Sequence, residues 1–165
     1  MYYFAYGSNM SLARIQKRVP SAAFWATAKL EGYRLCFHMR GIDGSAKCDA
    51  FYSGHKDDAV LGVVFDMSEA ELPILDQAES LGTGYESKWV KVTLDSGEDV
   101  MALVYVALHI DRSLKPFDWY KQHVVKGAKE AELPKEYVAQ LEAVGAIPDP
   151  DQARSELEHA IHSTV

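Results

Sequence analysis

Only two cysteines occur in the 165 residues, Cys36 and Cys48, and they form no C-x-x-C pair. A disulfide-stapled scaffold is thereby excluded, and because both thiols lie in apolar, strand-like runs, reduced core residues are expected. Cys36, His38, Cys48 and His55 are the residue types of a metal site. Cys36 and His38 alternate at strand spacing, however, and nothing supplies a compact ligand hairpin, so no metal is expected. No stretch approaches the roughly 20 apolar residues of a membrane span. The N-terminus has no charged segment ahead of an apolar one, so neither secretion nor membrane insertion is expected, and a cytoplasmic protein is the default. Basic runs are also missing. Seventeen lysines and arginines face 24 aspartates and glutamates, for a net charge of −7, which disfavours nucleic acid or an anionic membrane as partner. Internal repeats and low-complexity segments are absent.

What remains is 48% apolar and 25% charged, enough for one substantial core and a single domain over residues 1–165. Its N-terminal strand, Tyr2 to Tyr6, runs directly into Gly7, Ser8 and Asn9. With Asn9 as N-cap of a helix over 10–18, the chain turns sharply at Gly7 and leaves N–H groups of Gly7 and Ser8 unpaired. Such a corner can hold an anion or an oxyanion. An ordinary strand-turn-helix corner fits the local pattern equally well.

The pattern predicts strands over 24–39 (bent near Glu31-Gly32), 47–53 and 60–66. A hairpin over 88–94 and 99–106 flanks the turn Asp95-Ser96-Gly97-Glu98, and its second strand is apolar on both faces and should be central. Helices follow over 117–129, 134–144 and 151–162, with His159 and His162 on a solvated face of the last. Strands first and helices last make an α+β chain, with a meander or partly closed barrel.

One helix before the hairpin has an odd polarity. Ser68 and Glu71 have capping-box spacing, Pro73 should kink the helix or delay its start, and Leu72, Leu75 and Glu79 follow at i, i+3 and i+7. A carboxylate on that face is desolvated and lies at the negative end of the helix dipole, and both effects raise its pKa. That is how a general acid/base is tuned. Fraying before Glu79, with its side chain in water, is the alternative.

Tyr3-Phe4-Ala5-Tyr6-Gly7-Ser8-Asn9-Met10, with Leu75-Asp76-Gln77-Ala78-Glu79 far downstream, resembles the γ-glutamylcyclotransferase family. The likeness extends to Pro20–Phe24, Gly62–Met67, Tyr120-Lys121, Gly127–Glu130 and Leu133-Pro134. The resemblance implies a small mixed β-barrel with helices packed around it. It also implies a cofactor-free enzyme, a substrate loop at Tyr3, Phe4, Ala5, Tyr6, Gly7 and Ser8, a catalytic acid/base at Glu79, and pocket tyrosines at Tyr85, Tyr105 and Tyr120. Ser80 stands where many relatives carry glycine, and Leu108–Phe117 is short and is expected at the rim. The partner implied is a small γ-glutamyl molecule, and a homodimer is left open. A γ-glutamyl amide carries its own nucleophile, the α-amino group, once a base removes its proton. Glu79 could take that proton and later return it to the departing amine, giving 5-oxoproline. A γ-glutamylamine as substrate, or a binding protein without turnover, are the alternatives.

Overall fold

The computed structural model describes residues 1–163. In chain order it contains β1 (Tyr2–Ala5), a 3-10 turn (Ser8–Met10), α1 (Leu12–Arg18), β2 (Ala23–Glu31), β3 (Tyr33–Arg40), β4 (Ala46–Tyr52) and β5 (Ala59–Asp66). A second 3-10 turn (Glu69–Glu71) leads into α2 (Leu72–Ala78), followed by β6 (Tyr85–Leu94), β7 (Asp99–Ala107), α3 (Asp118–Glu130), α4 (Lys135–Glu142) and α5 (Gln152–Ala160). The order β1-β5-β2-β6-β7 closes into a barrel. Neighbours are antiparallel except at the seam, where β7 meets β1 in parallel with Leu103 opposite Tyr3. Closure leaves the apolar strand residues a common interior, and Phe4, Val60, Val64, Val92 and Val104 are fully buried there. Among the described residues, no helix is long and apolar enough to cross a membrane.

The expected strand over 24–39 is two strands. Gly32 takes φ +82, a left-handed conformation open to glycine at little steric cost, and the chain leaves the barrel there. Downstream, β3 pairs with β4 as a separate antiparallel ribbon. Polar side chains staple that ribbon down: Asp49 Oδ1 accepts from the Ala107 N–H at 2.8 Å, while Tyr85 donates to the Cys48 carbonyl at 2.6 Å. The hairpin is longer than its pattern suggested, beginning at Tyr85, and Met101 faces out although Ala102 to Val106 are all buried.

Two caps also differ from expectation. Asn9 does not cap the first helix; Ser11 does, its Oγ accepting from the Arg14 N–H at 3.3 Å. The capping box at Ser68 does not form, because Glu71 turns away to Ser21 and bonds its N–H at 3.0 Å. Ser68 accepts from Ala70 instead. Pro73 does delay the α-helix, which begins at Leu72 after the 3-10 turn.

The C-terminal helices lie close to their expected ranges, but His162 turns inward, with Nε2 2.6 Å from His123 Nδ1. Helix α3 lies directly on the turn after β1. A Cβ on Gly127 would meet the Met10 carbonyl carbon and the Ser11 nitrogen at 2.5 Å, and both are backbone atoms that cannot rotate away. Gly127→Ala should therefore lower stability by about 3 kcal/mol, measured as a shift of the urea unfolding midpoint. An unchanged midpoint would mean that α3 does not press on this turn.

Candidate active site

Glu79 is the C-cap of α2. The helix ends in a Schellman motif, with Leu81 N–H donating to the Asp76 carbonyl at 2.9 Å and Ser80 N–H to the Gln77 carbonyl at 3.1 Å. The motif needs a left-handed residue just past the cap, and Ser80 supplies it at φ 50. Glycine takes this conformation without the Cβ penalty that serine meets. The sharp stop directs the Glu79 side chain, 14% exposed, toward the turn after β1.

Asn9 meets it there. Its Nδ2 donates to Glu79 Oε1 at 2.8 Å and to Tyr3 Oη at 3.0 Å, and its Oδ1 accepts from Arg18 at 3.2 Å. Arg18 also lies 3.6 Å from Glu79 Oε1. Among the described residues Oε2 has no hydrogen-bond partner, so one carboxylate oxygen is fixed and the other is available. Burial pushes the Glu79 pKa up, and Arg18, Arg14 and the Asn9 bond pull it partly back, leaving it above the ordinary 4.5.

A cavity of about 30 Å³ adjoins this carboxylate, lined by Tyr3, Tyr6, Gly7, Ser8, Asn9, Cys48, Glu79, Tyr85, Tyr105 and Tyr120. Of the loop residues singled out by the sequence, Phe4 and Ala5 are not in this wall: Phe4 is fully buried in the barrel and Ala5 pairs with Val63. Gly7 does not need a positive φ, having φ −112. It needs to be small, because a Cβ would lie 3.0 Å from Cys48 Cβ and 3.3 Å from Tyr120 Oη. Neither the Gly7 nor the Ser8 N–H donates to another group among the described residues.

The tyrosine hydroxyls divide by what they already bond. Tyr6 donates to the Tyr105 carbonyl, Tyr85 to the Cys48 carbonyl and Tyr105 to Asp76 Oδ1 at 2.6 Å, so their protons are committed and their lone pairs remain for a ligand. Tyr3 and Tyr120 are acceptors, from Asn9 and from the Cys48 N–H at 2.9 Å, and they keep a proton to give. Burial pushes all five phenols well up, so they stay neutral.

Sharing Ser8, Glu79, Tyr85 and Tyr120 with this cavity is a wider pocket of about 400 Å³ whose wall includes Arg14, Arg18, Lys47, Arg154, Asp43 and Glu158. Lys47 is held by Asp43 at 2.8 Å, and its ammonium lies 4.6 Å from the ring centres of both Trp119 and Tyr120. Burial lowers the Lys47 pKa, and Asp43 counters this in part. The wall comes chiefly from α1, the end of α2, the turn between β3 and β4, and α3 and α5; Leu108–Phe117, expected at the rim, contributes none of the lining residues. Sequence reasoning missed Asn9, Arg14, Arg18, Lys47 and Glu158 as site residues. Arg14 and Arg18, one helical turn apart, carried a readable signal. No three His, Cys, Asp or Glu side chains among the described residues converge as metal ligands would.

A family model described as AIG2-like matches residues 59–141. The γ-glutamylcyclotransferase of Homo sapiens is 35% identical over 149 residues, covering 86% of this chain and 77% of the relative. The Bos taurus protein of the same name is 33% identical over the same shares. A solved structure of a γ-glutamyl cyclotransferase superposes with TM-score 0.86 at 31% identity, over 99% of this chain and 98% of the other.

The raised pKa of Glu79 makes a stability prediction. A carboxyl whose folded pKa exceeds its unfolded value stabilises the fold fully below the unfolded value, and that contribution is lost as pH rises through the folded value. Glutamine does not ionise, so between pH 4 and pH 7 the Tm of Glu79→Gln should gain on that of wild type. A wild-type Tm that gains on the variant would mean that Arg18 and Asn9 hold the carboxyl below 4.5.

Proposed function

We propose, for a chain that belongs to the γ-glutamylcyclotransferase family, that it converts γ-glutamyl amides of amino acids to 5-oxoproline and the free amine, with Glu79 as both base and acid. The observation that carries this reading is the asymmetry of the Glu79 carboxylate, with Oε1 held by Asn9 and Oε2 open beside the cavity. In the proposed reaction Oε2 takes a proton from the substrate's α-ammonium. The amine lone pair attacks the γ-carbonyl carbon, the new C–N bond closes the five-membered ring, and the negative charge moves to the carbonyl oxygen. That charge returns as the original C–N bond breaks, and Glu79 gives its proton to the departing nitrogen; the extra proton left on the ring nitrogen then passes through the freed carboxylate to the released amine, so a neutral lactam N–H and an ammonium are the products. One carboxyl serves both halves, which is consistent with a pKa raised by burial above its ordinary value.

The Gly7 and Ser8 N–H groups and the protons of Tyr3 and Tyr120 are donors for the substrate's anionic oxygens, and the Tyr85 oxygen can accept from its ammonium. Because the walls hold one another by hydrogen bonds before substrate arrives, little reorganisation remains for the reacting state. Nucleophile and leaving group both belong to the substrate, and no cofactor takes part in this scheme. Cationic groups in the wider pocket favour a leaving group with a carboxylate, hence γ-glutamyl amino acids over γ-glutamylamines. Two free thiols, Cys36 and Cys48, fit a reducing compartment such as the cytoplasm.

The test is 5-oxoproline release from a panel of γ-glutamyl amino acids and γ-glutamylamines, with and without chelator. Amino-acid adducts should be the better substrates and the chelator should change little. Lys47→Met should raise KM for the amino-acid adducts while leaving the amines nearly unaffected. Glu79→Gln should lower turnover by at least ~10²-fold while still binding substrate. Near-normal turnover in Glu79→Gln would exclude the assignment, and binding without turnover in wild type would favour a non-catalytic role.

A further inference from the structure

A chain of polar contacts behind the cavity ends on one of its walls. Arg14, 6% exposed, donates from Nε to Ser8 Oγ at 3.1 Å and from Nη1 to Glu158 Oε2 at 2.7 Å. The same Glu158 oxygen meets His123 Nε2 at 2.8 Å, and His123 Nδ1 meets His162 Nε2 at 2.6 Å. A guanidinium can only donate and an ionised carboxylate can only accept, so the direction of every bond follows. Burial pushes the Glu158 carboxyl up, but His123 and Arg14 outweigh it and keep the group ionised. His123 must then carry its proton on Nε2. Burial lowers the His123 pKa to about 4, which leaves Nδ1 bare to accept from the Nε2–H of His162.

At the other end, the Nε–H of Arg14 occupies a lone pair of Ser8 Oγ. The serine proton cannot lie along that direction, and it is left to donate into the cavity that Ser8 lines.

We infer that Glu158 is a positioning residue: by clamping Arg14 it makes the Ser8 hydroxyl a hydrogen-bond donor aimed at an anionic oxygen of the substrate. The inference rests on the reading of this cavity as the cyclotransferase site. The start of α5 has its own anchor, apart from Glu158. Arg154 binds Asp149 with two bonds of 2.6 Å, and Asp149 also accepts from Trp119 Nε1 at 2.8 Å. Glu158 lies a turn further on, facing the wider pocket.

A double-mutant cycle tests the inference, because a residue that acts through Ser8 has little left to lose once the hydroxyl is gone. Ser8→Ala and Glu158→Gln should each lower kcat/KM for 5-oxoproline release by about tenfold, the scale of one hydrogen bond to a charged group. The double variant should fall no more than about threefold below the weaker single. Any larger further loss, or wild-type kcat/KM in Glu158→Gln with only a lower Tm, would overturn the inference. If Glu158→Gln does not fold at the assay temperature, Glu158→Asp takes its place in the same cycle, under the same criteria. Wild-type protein that releases no 5-oxoproline refutes the cyclotransferase reading separately. The chain is then judged on imidazole ¹⁵N shifts of the unliganded protein, with the Nε2–H tautomer expected for both His123 and His162 and an Nδ1–H tautomer on either overturning it.

Discussion

The arrangement of the site depends on one side-chain amide. Asn9 joins Glu79 to Tyr3 and takes a bond from Arg18, and it thereby connects two segments separated by 70 residues in sequence. A half-buried carboxylate without such partners would have to protonate or turn toward water. With one oxygen held, Glu79 can stay at the cavity wall. The chain reaches this geometry by two abrupt stops: the strand-to-3-10 turn that swings Asn9 under Tyr3, and the Schellman ending of α2 that releases Glu79 toward it. Helix α3 closes the first stop by lying on its backbone at Gly127, so core packing and site geometry share the same contact.

Around that pair the tyrosine hydroxyls each have a partner, while among the described residues Glu79 Oε2 and the N–H groups of Gly7 and Ser8 stay open. The ribbon of β3 and β4, which leaves the barrel at Gly32, brings Cys48 to the cavity, where its backbone N–H and carbonyl fix Tyr120 and Tyr85. Buried phenols of this kind would be costly if unpaired. Their pairing also decides which still hold a proton for a ligand: Tyr3 and Tyr120 do, while Tyr6, Tyr85 and Tyr105 do not. In the proposed reaction this division suits a substrate that brings both anionic oxygens and an ammonium.

Much of this was legible from the chain. The aromatic strand before Gly7, the leucine spacing that carries Glu79 and the hairpin over 88–106 are local patterns, and local patterns survive folding. The ribbon was not, because a bend near Glu31-Gly32, which the sequence did suggest, does not say that the chain leaves the barrel there and that β3 pairs with β4 alone. Asn9 was misread for a related reason. Before a helical run it has the propensity of a cap, and only tertiary contact with Glu79 and Tyr3 redirects its side chain while Ser11 takes the cap. Lys47 and Glu158 belong to segments that approach the site only through the ribbon and through α5, and no spacing in the sequence predicts such an approach. Glu71 shows the converse, a residue with capping-box spacing that a distant serine, Ser21, claims instead.

The central claim is that one half-buried carboxyl both takes and returns the proton. The most direct measurement pairs two titrations of the wild-type protein: the side-chain ¹³C shift of Glu79 by NMR, and the acid limb of kcat/KM for 5-oxoproline release. Both should show one common pKa, lying above the ordinary 4.5 for a glutamate. A Glu79 that titrates at or below that value, or an acid limb displaced from its titration, would contradict the account.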